Sequence, residues 1–306
     1  WAATTDADDA RTRIIVVDDG IRAHTELDVE TRFRMTSAAP AGGYHGTSVA
    51  GVAAARANGE GICGVATGAT VVDINLLADM FLSDVREAMA FAGEHSSWRA
   101  VYCNSWGPTD DGRCEQPGAL VREAWRKGIA DGRSGRGALY VFAAGNGGPH
   151  ENANADGYAN APETIAVTAV DSSTGRTPSF AEWGACITLG TRGSRVLATT
   201  VGGSYTYRYG TSFAAPIVAG AVALLPAVQV HLQIVARQIA QRALAGHHGG
   251  QGLIETGVVA DIQPPVDQLM NQQLHQGRQP TDGLGQLHED GALFQVQRRQ
   301  RPQLAD

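Results

Sequence analysis

Three side chains of this sequence could together perform nucleophilic catalysis: Asp18, His45 and Ser212, in that chain order. A serine hydroxyl attacks a carbonyl carbon when a neighbouring imidazole takes its proton, and a buried carboxylate holds that imidazole in the required tautomer. Ser212 lies in GTSFAAPIVAG, where a glycine-led turn meets an apolar helical run. The alternative for Ser212 is a helix N-cap, because a serine oxygen accepts amide hydrogens of the first helical turn and a proline is tolerated within that turn.

Asn146 could supply a fourth catalytic group. It stands between glycines in GNGG, residues 145–148. From such a turn an amide can face the oxyanion of an acyl intermediate, together with the backbone N–H of Ser212 at a helix N-terminus. The alternative is that GNGG is simply a favourable turn sequence.

The elements that must position these residues alternate between apolar strands and helices. We predict strands over 13–17, 71–74, 100–104 and 138–144, and helices that begin at His45, run from Ser83 to Ala92, and cover 117–130. This alternation indicates a parallel sheet covered by helices. Asp18, Ser105 and Asn146 follow predicted strands, at the carboxyl ends where such sheets bind ligands.

Composition sets the outer bounds. The 306 residues, 43% of them hydrophobic, are enough for one large α/β domain or two smaller ones. A net charge of −7 argues against nucleic acid as a partner. No apolar stretch approaches the ~20 residues of a membrane span. The first residues, WAATTDADDA, lack the features of a signal peptide, so the chain is either intracellular or lacks a removed leader.

Five segments in order, VVDDG, HGTSVAG, NSWGP, AAGN and GTSFAAPIVAG, resemble the subtilase superfamily of serine proteases. NSWGPTDDG, YVFAAGNGG and DGYAN extend the similarity to the kexin and furin group of proprotein convertases. The resemblance implies a three-layer subtilisin-like α/β fold over residues 1–225, with a mostly parallel central sheet covered by helices. It makes Asp18 the orienting acid, His45 the general base, Ser212 the nucleophile and Asn146 the oxyanion donor.

The resemblance also implies a hydrolase that cleaves precursor proteins or peptides after basic residues, often paired, in a cleft lined by carboxylates. Asp110 and Asp156 would hold the basic side chain before the scissile bond through charge-assisted hydrogen bonds. Asp19 would meet the next basic residue upstream. The remaining substrate positions carried over from the family are Ser105, Trp106, Gly107, Glu87, Glu115 and Tyr158. For each of these acids, Glu87 and Glu115 in particular, the alternative is a solvated loop charge.

Calcium is the cofactor that the resemblance implies. Asp110, Glu151 and Glu182 match acids that hold a calcium ion behind the basic-residue pocket, where its charge would offset their repulsion. A second site would combine Glu26 with main-chain oxygens of the loop 55–64 and the amide of Asn58. Glu26 stands where the family usually has aspartate.

The sequence departs from the family pattern before His45, because the loop after Glu26 is short and carries no acid close to the histidine. Selection for paired basic residues is therefore expected to be relaxed. Ala153, Ala155 and Ser204 stand at or near positions where the family often has cysteines. The four cysteines present, Cys63, Cys103, Cys114 and Cys186, are not expected to form the family's disulfides.

The larger departure is residues 226–306, a Gln-rich segment in which no β-sandwich P domain is recognisable. Its composition indicates either a poorly ordered segment or a frame error in the gene model. The resemblance implies a secretory or extracellular location and a propeptide inhibitor. Two alternatives to a basic-specific endopeptidase stay open: a subtilase of broader specificity, and an inactive homologue that serves as a binding module.

Overall fold

The computed structural model describes residues 12–34, 42–67, 69–78, 82–91, 99–135 and 137–224. Contacts divide the chain into two units, Trp1–Gly257 and Val258–Asp306, and every described residue belongs to the first. The segment 226–306 lies outside the described residues, so the domain boundary at residue 225 stays a prediction.

Nine strands and four α-helices make up the described part. The strands are β1 (Thr12–Asp18), β2 (Val29–Arg34), β3 (Thr70–Asn75), β4 (Arg99–Asn104), β5 (Leu139–Ala143), β6 (Thr164–Val170), β7 (Ile187–Arg192), β8 (Val196–Thr200) and β9 (Ser204–Arg208). The helices are α1 (Tyr44–Ala54), α2 (Asp84–Phe91), α3 (Ala119–Gly135) and α4 (Thr211–Leu224). No helix within these described stretches is long and apolar enough to cross a membrane.

Seven of the strands form one sheet in the order β2-β3-β1-β4-β5-β6-β7, and all of its pairings are parallel. The other two, β8 and β9, form an antiparallel pair. Successive residues of a strand face opposite sides of its sheet. In β1, Ile14 and Val16 accordingly pack with residues of α1 and α4, while Ile15 and Val17 pack with residues of α2 and α3. This arrangement confirms the predicted three layers.

The predicted strands and helix starts agree with the structure to within one or two residues. Ser83 accepts the amide hydrogen of Arg86 at 3.3 Å and caps α2, as expected. Strands β2 and β6 to β9 were not predicted. Helix α3 begins at Ala119 rather than residue 117, because Asp84 of α2 accepts the amides of Leu120 and Val121 at 3.1 and 3.0 Å.

The fold brings the predicted catalytic positions to one edge of the sheet. Strands β1, β4 and β5 are neighbours and parallel, so their carboxyl ends meet. Asp18 ends β1, Ser105 follows β4, and Asn146 follows β5. The order of the strands in the sheet therefore brings these three predicted site residues to the same edge.

Candidate active site

His45 and Asp18 form the first pair of the site. His45 is the second residue of α1, and its Nδ1 lies 2.9 Å from both carboxylate oxygens of Asp18. The Asp18 side chain is 1% exposed, and that of His45 is 37% exposed. The negative charge of Asp18 raises the pKa of His45 above its ordinary value. This pairing places the proton on Nδ1 and leaves Nε2 as the basic nitrogen.

Asp19 holds the beginning of α1. Its carboxylate accepts the amides of Gly43, His45 and Gly46 at 3.0, 3.4 and 2.8 Å, which satisfies three donors at the helix N-terminus. The pKa of Asp19 is raised above its ordinary value, mainly because the carboxyl group is buried. A side chain at Gly46 would place its Cβ 2.5 Å from the carbonyl oxygen of Gly20, so this turn requires glycine. Asp19 thus positions His45, and its contact with substrate stays a prediction.

Ser212 is the second residue of α4, and its hydroxyl donates to the carbonyl oxygen of Ser105 at 3.1 Å. The Ser105 hydroxyl donates in return to the carbonyl oxygen of Ser212 at 2.8 Å. The N-cap alternative for Ser212 is wrong, because Asn146 Oδ1 caps the helix by accepting the Thr211 amide at 2.9 Å. We expected Pro216 in the first turn of α4. It is instead the sixth residue of the helix and lies beyond that turn.

Asn146 is oriented by Thr211. In addition to the Thr211 amide, Oδ1 of Asn146 accepts the Thr211 hydroxyl at 3.1 Å. The other amide atom, Nδ2, makes no hydrogen bond to the described part of the chain and is available as a donor beside Ser212. An oxyanion requires such a donor, fixed before the reaction. Asn146 is thus more than a turn residue.

Phe213, the residue after Ser212 in α4, packs against His45 with the two ring centroids 5.5 Å apart. Among the described residues, no hydrogen bond joins His45 to Ser212, because the serine hydroxyl faces Ser105. Catalytic hydrogen bonds are often unformed without substrate. The structure thus holds the Asp18–His45 pair on α1 and the candidate nucleophile on α4 by separate sets of hydrogen bonds.

An acidic cluster lies beside Asn146. One carboxylate oxygen each from Asp110, Glu151 and Glu182 lies within 4.8 Å of the others. Glu151 Oε2 is buried and has no hydrogen-bond partner among the described residues. Burial, followed by the neighbouring acidic charges, raises the pKa of Glu182 to about 7. A buried, unpartnered oxygen in a set of hard ligands fits a calcium ion, so the residues predicted for the first calcium site do meet.

Asp156 lies close to this cluster and is 7% exposed. Its Oδ1 accepts the amides of Tyr158 and Ala159 at 2.7 and 3.2 Å, and Oδ2 lies 2.9 Å from where a Cβ at Gly107 would stand. Glycine at position 107 therefore leaves space in front of the carboxylate. The pKa of Asp156 is raised to about 6, mainly because the carboxyl group is buried. Asp110 interacts with both Asp156 and Asn146: its charge acts on Asp156, and its Oδ2 accepts the backbone N–H of Asn146 at 3.2 Å.

Glu87, Glu115 and Tyr158 also come together. The Tyr158 hydroxyl donates to Glu87 Oε2 at 2.6 Å, and both side chains are buried. Burial, followed by the hydrogen bond to Glu87, raises the pKa of Tyr158, and the charge of Glu115 adds a smaller contribution. Glu115 also forms a β-bridge with Asp156. Trp106 packs against Tyr158 with ring centroids 5.3 Å apart. The solvated-charge alternative is therefore wrong for Glu87, whose side chain is 5% exposed.

The proposed second calcium site is less complete. Glu26 is buried, its Oε1 accepts the Tyr205 hydroxyl at 2.7 Å, and its Oε2 has no partner among the described residues. Asn58 is exposed, and its side-chain oxygen accepts the Glu60 amide at 3.0 Å. The orphaned Glu26 oxygen fits a cation, whereas Asn58 has a local partner. The four cysteines, Cys63, Cys103, Cys114 and Cys186, are free thiols.

Two residues at the site were not predicted from the sequence. Thr211 orients Asn146, and the positive charge of Arg208 acts on His45 and lowers its pKa, against the larger effect of Asp18. Both residues precede Ser212 by no more than four positions. That closeness to a candidate nucleophile is the feature of the sequence from which they could have been predicted.

Comparison with known proteins agrees with this geometry. Residues 10–243 match the model of the Subtilase family. The chain is 36% identical over 255 residues to "Proprotein convertase subtilisin/kexin type 4" of Homo sapiens, covering 71% of this chain and 32% of that protein. It is 36% identical over 192 residues to "Kexin" of Saccharomyces cerevisiae, covering 60% and 23%. The chain spans less than a third of the length of these two relatives.

Solved structures give the same fold. A cold adapted subtilisin-like serine proteinase superposes with a TM-score of 0.58 at 22% identity, covering 74% of this chain and 80% of that one. A protease from Pseudoalteromonas arctica superposes with a TM-score of 0.58 at 26% identity, covering 70% and 76%. The predicted fold class and the similarity to kexin and furin convertases are confirmed.

Proposed function

This chain belongs to the subtilase family, and we propose that it is a calcium-dependent serine endopeptidase that cleaves proteins or peptides after basic residues. The single observation that carries the proposal is the position of Asp156 and Asp110. Asp110 Oδ2 accepts the backbone N–H of Asn146, the charge of Asp110 acts on Asp156, and Asp156 is buried behind Gly107, which has no side chain to cover it.

The catalytic residues act in a defined order. His45 Nε2 takes the proton of Ser212, whose oxygen attacks the carbonyl carbon before the scissile bond, and Asp18 stabilises the imidazolium. The oxyanion binds Asn146 Nδ2 and the backbone N–H of Ser212. His45 then gives its proton to the leaving amine as the C–N bond breaks, and the acyl group stays on Ser212 as an ester. His45 next takes a proton from water, which attacks this ester, and returns the proton to Ser212 Oγ as the carboxylic acid product leaves.

Selectivity for a basic side chain follows from the cost of burying carboxylates. A guanidinium or ammonium group that enters beside Asp156 makes charge-assisted hydrogen bonds, whereas an apolar side chain leaves the acids unpaired. The upstream basic residue is expected to matter less, because both carboxylate oxygens of Asp19 already accept backbone amides of α1. One basic residue is therefore enough for cleavage, and a second strengthens it modestly.

Asp110, Glu151 and Glu182 would hold a calcium ion, and Glu26 would contribute to a second. Bound calcium supplies positive charge that offsets the repulsion among the acids. We extend the proposal to a secretory or extracellular route and to inhibition by a propeptide, both inferred from the similarity to convertases.

The proposal is tested with fluorogenic peptides that end in Arg-Arg, Ala-Arg or Ala-Phe, incubated with the full chain in calcium. Cleavage is expected after Arg-Arg and Ala-Arg and is expected to vanish in Ser212→Ala. Asp156→Asn should lower kcat/KM for the arginine peptides by roughly tenfold or more, because a charge-assisted contact is lost. Asp131→Asn, a change to an exposed acid on α3, is the matched control.

Two results would contradict the proposal. An unchanged ratio of arginine to phenylalanine cleavage in Asp156→Asn would favour a subtilase of broader specificity. A chain that unfolds cooperatively but cleaves none of the peptides would favour the non-catalytic binding module.

A further inference from the structure

Arg208 is a half-buried cation that contacts the helix of the catalytic histidine. Its Nε donates to Ser48 Oγ at 3.3 Å, and Ser48 lies three residues after His45 on α1. No carboxylate in the described part of the chain forms an ion pair with Arg208. In a chain of net charge −7, an unpaired guanidinium this close to His45 is unexpected.

The contact with Ser48 fixes the direction of the Arg208 side chain. Ser48 is fully buried and donates its own hydroxyl to the carbonyl oxygen of Thr199 at 2.7 Å, so it accepts from Arg208. The two terminal nitrogens of Arg208 make no hydrogen bond to described residues. A guanidinium held through Nε presents these nitrogens as a fork suited to a carboxylate.

Arg208 and the acids around Asp156 belong to different elements of the fold. It ends β9, which pairs with β8, and β8 packs on α1. Asp110, Asp156 and Glu182 instead belong to loops after β4, β5 and β6. The leaving amine receives its proton from His45, so the residue that follows the scissile bond must pass the imidazole. A charge on the α1 side of His45 therefore faces that residue.

Resting on the proposed endopeptidase function, we propose that Arg208 makes this enzyme select an acidic residue immediately after the scissile bond. A carboxylate there would pair with the free nitrogens of Arg208, and a lysine would be repelled. The preferred substrate thus has opposite charges on the two sides of the cleaved bond, a basic residue toward Asp156 and an acidic residue toward Arg208.

The electrostatics of the site agree with this placement. Asp18 raises the pKa of His45, and the positive charge of Arg208 opposes that rise as the smallest contribution. Arg195 provides a contrast, because its guanidinium lies over the Tyr207 ring, 5.2 Å from the centroid. Since Tyr207 and Arg208 are consecutive in β9, they point to opposite faces of the hairpin.

The test uses the full chain with calcium and internally quenched peptides identical up to Arg-Arg, with Asp, Asn or Lys as the next residue. The expected kcat/KM is about tenfold higher for Asp than for Asn and lowest for Lys. Arg208→Gln should abolish the difference between Asp and Asn, and Arg208→Glu should favour Lys. Arg208→Lys keeps the charge and should retain a reduced preference, while Arg195→Gln should leave it unchanged.

Binding to the Ser212→Ala chain, measured by fluorescence anisotropy with the same peptides, tests the inference without turnover. Tighter binding of the Asp peptide than of the Asn peptide, lost in the additional Arg208→Gln change, supports it. Cleavage or binding without that preference, or a preference that survives Arg208→Gln, overturns it and leaves the endopeptidase proposal intact. If a folded chain cleaves nothing, the endopeptidase proposal fails, and the anisotropy result alone decides the role of Arg208.

Discussion

Ser105 and Ser212 exchange two hydrogen bonds, each hydroxyl donating to the carbonyl oxygen of the other residue, at 2.8 and 3.1 Å. In a regular helix, the carbonyl oxygen of Ser212 would accept the amide of residue 216. That residue is Pro216, which has no amide hydrogen. Ser105 therefore supplies the donor that the helix lacks, at the residue that carries the nucleophile.

The first prediction concerns this exchange. Ser105→Ala leaves the carbonyl oxygen of Ser212 without its donor and should lower the free energy of unfolding by about 1 kcal/mol. It should also lower kcat more than it changes KM, because the start of α4 loses its anchor. Pro216→Ala restores an amide donor, so Ser105→Ala should cost less in that background. Urea unfolding of the four chains measures the coupling, and strictly additive costs would contradict this account.

The second prediction concerns Asn146. Asn146→Ala removes the oxyanion donor and should lower kcat by roughly 10²–10³ with little change in KM. Thr211→Val removes only the hydroxyl that holds Asn146 Oδ1, so a smaller loss in kcat, of about tenfold, is expected. Steady-state kinetics on one arginine peptide separates the two parameters. A raised KM with unchanged kcat in Asn146→Ala would show instead that Asn146 binds the ground state.

The third prediction concerns pH. His45 acts as a base only when neutral, and Asp18 raises its pKa above the ordinary value of 6.5. As the pH falls, activity should therefore begin to be lost while the pH is still above 6.5. Arg208→Gln should move this acidic loss of activity to higher pH, because it removes a positive charge that opposes the rise in the His45 pKa. An NMR titration of the His45 imidazole in the Ser212→Ala chain checks the assignment. A His45 pKa below 6.5 would be inconsistent with the pairing seen here.

The fourth prediction concerns calcium. A chelator should lower the melting temperature, since a ligand at a hundredfold excess over Kd contributes about 2.7 kcal/mol. Glu151→Gln should remove most of the stabilisation that calcium provides, and Glu26→Gln should remove the rest. Glu163→Gln is the control, because Glu163 is a buried acid that pairs with Arg126 on α3. An equal calcium increment in Glu151→Gln and the unchanged chain would exclude the acidic cluster as a binding site.

Local patterns in the sequence were sufficient for the central strands and for the capping of α2 by Ser83. They were insufficient for strands such as β9, where SYTYR carries no continuous apolar run and its residues are exposed or half-buried. The start of α3 could not be read locally either, because its cap is Asp84 on another helix.

Residue types, chain order and the surrounding motifs were enough to identify Asp18, His45, Asn146 and Ser212 as the catalytic candidates. The way in which these side chains are held became visible in the folded chain. Asp19 caps the helix of His45, Ser105 replaces the donor that Pro216 lacks, and Arg208 donates to Ser48 on the helix of His45. These relationships join residues far apart in the chain, and hydrogen bonds and charges act over a few ångströms. Sheet order and helix packing set such distances, whereas spacing along the chain does not.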